Sequence, residues 1–313
     1  MKKIVQSLLV SLCIICTFCS CGIPKNTSFE KKGYTVNDDK GNRISFTAKP
    51  ARILTLALAT DEILLDLVSP DRVIAVSSLS VDEGISTVSE KAKLVPHQMK
   101  NYEAEYILSC HPDLVIAPDW TGREMIDSLK DMGLPVYIVR GGLSADDARV
   151  SVEQISAAVG ETEKGQKILE EMENDLKKAE KVKAGIPDNR KKTVVLYSHM
   201  KGYIGKGSLF DDLCQKAGVI NGAAAIGMGK NDLLSKESLV KMNPDIILIP
   251  TWSNGDITPD SVRKELLSDA SLQSVNAIRT GSLKQVPDKY IFSASPAMTK
   301  AVLGIQEAAY GDK

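Results

Sequence analysis

The stretch Glu105-Tyr-Ile-Leu-Ser-Cys-His-Pro112-Asp113-Leu-Val-Ile-Ala-Pro118-Asp-Trp120 has a counterpart further along the chain, Glu237-Ser-Leu-Val-Lys-Met-Asn-Pro244-Asp245-Ile-Ile-Leu-Ile-Pro250-Thr-Trp252. Glu, Pro, Asp, an apolar run, Pro and Trp recur at the same offsets without a gap. Each unit reads as a short helix opening at the Glu, a Pro-Asp turn, a buried strand and then a Trp. Glu at a helix N-terminus suits the helix dipole. Pro before Asp stops the helix and starts the strand. A Trp just past a strand's C-terminal end stands where open α/β sheets take up ligands. Trp120 and Trp252 are the only tryptophans, so two facing halves would bring both to one cleft. The bland alternative is rim packing at each position.

Outward from the repeat, the chain alternates strands and helices. Tyr34-Thr35-Val36 and Ile44-Ser45-Phe46 flank a turn at 38–42 and read as a hairpin. Strands are expected at 53–58, 73–76, 114–117 and 136–139, with helices at 61–68 and 123–132. Gly133 sits where a helix-ending glycine belongs. Residues 146–159 and 162–183 read as two helices separated by Gly160. The second carries a narrow stripe of Ile168, Met172, Leu176 and Ala179 on a Glu- and Lys-rich background. Its roughly 33 Å length is about the width of a domain, which suits a rigid connector. The alternation resumes with strands at 193–197 and 246–249, helices at 209–217 and 262–267, a short strand at 285–286 and a closing helix at 296–309. The expected fold is α/β: two α/β lobes with mainly parallel sheets, joined by a single long helix, with the ligand cleft between them. The expected parts are a signal peptide over 1–20, a lipid-anchored tether over 21–32, an N-terminal lobe over 33–144, a helical connector over 145–184 and a C-terminal lobe over 185–313.

The first residues carry Lys2 and Lys3 ahead of an apolar run from Ile4 to Phe18, too short to span a bilayer comfortably and typical of a signal peptide. The run resembles a bacterial lipoprotein signal, with Cys21 behind small Ser20 as the residue to be lipidated. Phe18, three residues before Cys21, departs from the usual Leu. Of six cysteines, Cys13, Cys16 and Cys19 leave with the signal and Cys21 takes the lipid. That leaves Cys110 and Cys214, which read as small buried hydrophobes rather than a disulfide pair. Net charge is -1, so no basic field points to nucleic acid. Phosphate-loop and dinucleotide glycine motifs and zinc-finger spacings are absent. No serine elbow or recognisable Cys/His pair is present either. Asp113 and Asp245 precede their strands, at the end opposite the expected cleft, so they are not read as catalytic. No catalytic residue, cofactor or metal ligand is assigned, and a non-enzymatic monomer is expected.

Several stretches together resemble the helical-backbone class of bacterial solute-binding proteins, which serve ABC importers of ferric siderophores, haem and vitamin B12. They are VNDDKGNRISF, KPARILTLALATDEILLDL, DRVIAVS, EYILSCHPDLVIAP, LPVYIV, GSLFDDLCQKAGVIN and SKESLVKMNPDIILIP, in family order along nearly the whole chain after the signal. The resemblance implies two lobes on one long helix, an exported, lipid-anchored location in the cell envelope, and delivery to a permease with its ATPase. It also implies one Glu on each lobe that docks arginines of the permease. Glu105 and Glu237 match, with Glu103 a near neighbour in the first lobe; both glutamates also suit plain helix capping.

For the ligand, three histidines, His97, His111 and His199, are too few for a bare transition-metal site. His111 stands where Asn243 stands in the second copy and reads as structural. A bulky chelate wants aromatic walls and few polar anchors. Thr60, Trp120, His199, Met200, Tyr203, Trp252 and Tyr290 are the candidate contacts. An iron chelate, siderophore or haem, is the first expectation. A corrinoid of the vitamin B12 type is the alternative, and an exported enzyme or surface adhesin ranks below both. Catecholate siderophores would need converging cations such as Arg123, Arg140, Lys201, Lys206 and Lys289. Haem would need an axial Tyr203 or His199.

Overall fold

The computed structural model describes residues 33–198, 203–253, 255 and 257–311. The expectations at Cys21, His199 and Met200 lie outside them. The chain opens with the antiparallel hairpin β1 (Tyr34–Asn37) and β2 (Arg43–Phe46). The first lobe is a five-stranded parallel sheet of β3 (Ile53–Thr55), β4 (Val73–Ser77), β5 (His97–Met99), β6 (Leu114–Pro118) and β7 (Val136–Val139), in the order β5-β4-β3-β6-β7. The second is a four-stranded parallel sheet of β8 (Thr193–Leu196), β9 (Ile220–Asn221), β10 (Ile246–Leu248) and β11 (Leu283–Lys284), in the order β11-β10-β8-β9.

These orders extend the sequence repeat into topology. Read from the other edge, the second sheet runs β9-β8-β10-β11, the counterpart of β4-β3-β6-β7. β6 and β10, which carry the repeated motif, therefore occupy the same place in both sheets. His111 and Asn243, at matching offsets, both take the left-handed backbone, with φ of 48° and 42°. The Pro-Asp turn that follows has one geometry used twice.

The first sheet is buried on both faces, so its strands are apolar without a break. Alternate residues sort to opposite faces. Ile53, Leu114, Ile116, Tyr137 and Val139 share a core with the helices Leu58–Leu67 and Ala145–Ala158. Leu54, Val115, Ala117, Val136 and Ile138 pack with the helices Ala104–Ser109 and Arg123–Asp131.

The helix Thr162–Ala184 is the long element between the two sheets, spanning about 35 Å. It packs on the helix Ala145–Ala158, on Leu209–Ala217 and on the closing helix Met298–Tyr310. Buried Gln306 ties three of these together, donating to the carbonyls of Ala179 (2.8 Å) and Ala217 (3.2 Å). The helices that the sequence pattern does not announce are short: Ser89–Ala92, Gly222–Ala225, Asn276–Arg279 and Asp288–Ile291.

Some boundaries differ from the sequence reading. The first strand ends at Thr55, because a helix begins at Leu58. Edge strand β5 falls in a stretch to which the sequence pattern assigns no element. The late strand falls at Leu283–Lys284, two residues before the expected 285–286.

Candidate functional site

The loops at the C-terminal ends of both sheets define the candidate site. From the second lobe come the segments after β8, β10 and β11, carrying Tyr203, Trp252 and Tyr290. From the first come the segments after β4, β6 and β7, carrying Asp82, Trp120 and Gly141. The lobes meet here directly. The indole Nε1 of Trp252 donates to Asp82 Oδ2 at 2.9 Å, and Ser293 Oγ donates to buried Glu62. Glu62 also accepts from the Thr87 amide (2.8 Å) and hydroxyl (3.0 Å). Burial raises its pKa against these hydrogen bonds. Elsewhere along the junction the Ala145 amide donates to Asp212 at 3.0 Å.

The two tryptophans are mounted alike. A Cβ on Gly141 would lie 2.3 Å from Trp120 Cδ1, and one on Gly84 would lie 2.3 Å from Trp252 Cδ1. In each case an aspartate holds the glycine amide: Asp119 Oδ1 accepts from Gly141 and Asp82 Oδ1 from Gly84, both at 2.9 Å. Neither glycine has a positive φ, so each is required for space rather than for backbone freedom. Trp120 remains 62% exposed, its open face free for a partner. Trp252 is partly buried, and its amide and that of Thr251 donate to Asp288 Oδ2 at 2.7 and 2.9 Å. This ties the loop after β10 to the short helix that carries Tyr290.

The other sequence candidates separate. Tyr203 is 61% exposed, with a left-handed φ of 61° that projects it from its loop. Tyr290 has the ammonium groups of Lys289 and Lys300 each 5.7 Å from its ring, a cation–π arrangement. Thr60 is buried at 3% exposure, and its hydroxyl donates to the Ala57 carbonyl at 2.8 Å, so its polar group serves the first helical turn. Glu105 and Glu237 are both exposed and are each the second residue of their helices. Glu103 instead occupies the position just before its helix, the counterpart of Ser235, but its side chain makes no capping hydrogen bond where that of Ser235 does.

Three cations of the first lobe are engaged, whereas Lys289 and Lys300 lie over the Tyr290 ring. Arg140 Nε lies 2.9 Å from Asp39, and its guanidinium also reaches Asp147 at 3.4 Å. Lys40 lies 3.7 Å from Asp119, and Arg123 pairs along its own helix with Asp127 at 3.5 Å. Among the described residues, no group of three or more His, Cys, Asp or Glu is placed to hold a metal ion.

Sequence reasoning missed Asp82, Gly84 and Gly141. Their signal lies in space: a glycine opposite each repeat tryptophan, one of them contributed by the other lobe. No local pattern marks either.

Two parallel-sheet lobes on one long helix, with aromatic residues at the strand ends, define the architecture of a solute-binding protein. The chain belongs to the periplasmic binding protein family, whose sequence pattern matches residues 53–290. It is 24% identical over 285 residues to the uncharacterized ABC transporter substrate-binding lipoprotein YvrC of Bacillus subtilis, covering 89% of this chain and 86% of that one. It is 22% identical over 278 residues to a cobalamin-binding protein of Halobacterium salinarum, covering 88% and 73% respectively. The periplasmic heme-binding protein RhuT of Roseiflexus sp. RS-1 shares the fold, with a TM-score of 0.68 at 24% identity over 82% of this chain and 98% of that one.

Proposed function

We propose that the protein is the lipid-anchored binding subunit of an ABC importer and that it captures a corrinoid of the cobalamin type between its lobes. The observation that carries the ligand class is a carboxylate in the mount of each repeat tryptophan: Asp119 holds the amide of Gly141, against which Trp120 lies, and Asp82 accepts the Trp252 indole N–H. An aromatic wall edged with acids favours a bulky ligand rich in amide donors and without net negative charge. It disfavours anionic catecholate chelates and haem propionates, which need several converging cations, whereas Lys289 and Lys300 gather at Tyr290 alone. Arg140 and Lys40 are committed to aspartates. The cobalamin-binding relative supports the same class. The iron chelate expected from sequence is the rival, with exposed Tyr203 as its candidate axial ligand.

Cys21 is the proposed anchor, in keeping with the lipoprotein relative. Glu105 and Glu237 are the proposed permease-docking residues, exposed at equivalent helix starts in the two lobes. Titration with cobalamin, haem and a ferric catecholate, followed by tryptophan fluorescence, tests the ligand. Quenching by cobalamin is the expected result, and saturable quenching by haem or the catecholate alone would overturn it. Reversing both docking charges should abolish uptake with affinity unchanged; loss of affinity would remove the docking role. Cys21→Ala should release the protein from membranes, and its retention there would exclude Cys21 as the anchor.

A further inference from the structure

The two tryptophan mounts differ in one respect. Trp120, Asp119 and Gly141 belong to one lobe, whereas Trp252 comes from the second lobe and Asp82 and Gly84 from the first. We infer that Asp82 and Gly84 are positioning residues for Trp252, so that the N-terminal lobe supplies the seat on which the C-terminal lobe's cleft tryptophan rests.

A single carboxylate builds the seat. Asp82 Oδ1 accepts the Gly84 amide at 2.9 Å, while Oδ2 accepts the Trp252 indole N–H, also at 2.9 Å. Gly84 leaves room for the ring, since any side chain there would collide with Cδ1. The segment bearing the seat is itself fastened to the lobe. It leaves β4 at Ser77, whose amide donates to buried Asp61 at 2.7 Å, and Ser80 Oγ donates to the same carboxylate oxygen at 2.6 Å. The Ser86 amide then closes back on the Asp82 carbonyl at 2.9 Å. The indole is therefore fixed from two lobes, by Asp82 at its edge and by Asp288 at its backbone. A ligand wall fixed in this way sets both the spacing of the lobes and the plane presented to the solute.

The consequence for affinity rests on the cleft reading proposed above, but the seat itself can be tested without ligand. Trp120→Phe leaves Trp252 as the sole tryptophan. In that background, Asp82→Ala and Gly84→Ala should shift its emission to the red and steepen acrylamide quenching. Asp82→Asn, which keeps an acceptor oxygen, should fall between them and the parent. In the otherwise native chain, Asp82→Ala and Gly84→Ala should weaken cobalamin binding about tenfold while the melting transition stays cooperative. Unchanged emission and quenching in both Asp82→Ala and Gly84→Ala would overturn the seat. Shifted spectra in a protein that binds no cobalamin would uphold the seat and remove the corrinoid.

Discussion

Asp113 and Asp245 hold the two sheets together in the same way. Asp113 accepts the amides of Ala51 and Arg52 (2.8 and 2.9 Å), just ahead of β3, and Asp245 accepts that of Thr193 (2.9 Å), which opens β8. Each also returns its own amide to the neighbouring chain, Asp113 to the Arg52 carbonyl and Asp245 to that of Thr193. Both carboxylates thus pin the start of one parallel strand to the start of the next, at the end of the sheet away from the cleft.

Removing either should therefore cost stability and leave binding alone. Hydrogen bonds to a charged acceptor contribute about 1.5–3 kcal/mol each, less where water competes. Asp113 is exposed, whereas Asp245 is partly buried and also takes the Asn276 side-chain amide at 2.9 Å. Asp245→Ala should lower the melting temperature more than Asp113→Ala, and ligand affinity should hold in both. An affinity loss as large as that of a cleft variant would reopen a functional role for these acids.

The part of the fold that was legible in sequence is the part set by local chemistry. The repeat marked β6 and β10, because Pro, Asp and a buried apolar run dictate a turn and a strand wherever they occur. Gly133 and Gly160 stop helices through positive φ, 79° and 70°, as their positions suggest. What could not be read were features decided by another part of the chain. β5 and β9 are short edge strands, recruited by a neighbour's unpaired backbone rather than by their own pattern. Thr60 sits beside the cleft loops in sequence, but its hydroxyl bonds the carbonyl of Ala57, the residue just before its own helix. Trp252 could be singled out from the repeat, whereas its partner Asp82 lies across the lobe boundary, where no spacing rule reaches.

Trp120 offers the simplest measure of the aromatic wall. Its ring is exposed on one side and carried by Gly141 on the other, so the folded protein gains little from it. Trp120→Ala should weaken ligand binding by about 1–3 kcal/mol, in the range of a stacking hot spot, with little change in melting temperature. Gly141→Val should do the same by displacing the ring. Equal affinities in calorimetric titrations of wild type and Trp120→Ala would take this tryptophan out of the site.

The close pairing of the two central helices depends on Gly165. A Cβ there would lie 2.4 Å from Ser156 Oγ and 2.5 Å from Ser156 Cβ. Crowding of this kind costs about 1–3 kcal/mol, while replacing a glycine in the first helical turn by alanine returns at most about 1 kcal/mol. Gly165→Ala should therefore be mildly destabilising. Ser156→Gly carries its own helix cost, but the double variant should lose less than the sum of the two single variants, because the colliding atoms are gone. Additive losses in the double variant would show that the two positions do not meet.

Asp61 gives the fold a predictable response to pH. Its carboxyl is fully buried at the start of the helix Leu58–Leu67, and it accepts from the Ser77 amide and from the hydroxyls of Ser80 and Thr55. Desolvation outweighs these donors, and the neighbouring Glu62 adds to it, so the pKa rises to about 7. In the unfolded chain an aspartate titrates near 3.9. Between about pH 4 and pH 7 the folded protein therefore holds a proton that the unfolded chain has released. Its stabilising contribution is fully present below that window and is lost as pH rises through the folded pKa, at no more than about 1.4 kcal/mol per pH unit. The raised pKa of Glu62 acts in the same direction, so the slope due to Asp61 must be taken by difference. The melting temperature of the wild type should fall relative to that of Asp61→Asn as pH is raised across this window. Parallel curves would mean that the three donors keep the Asp61 carboxylate ionised in the folded protein.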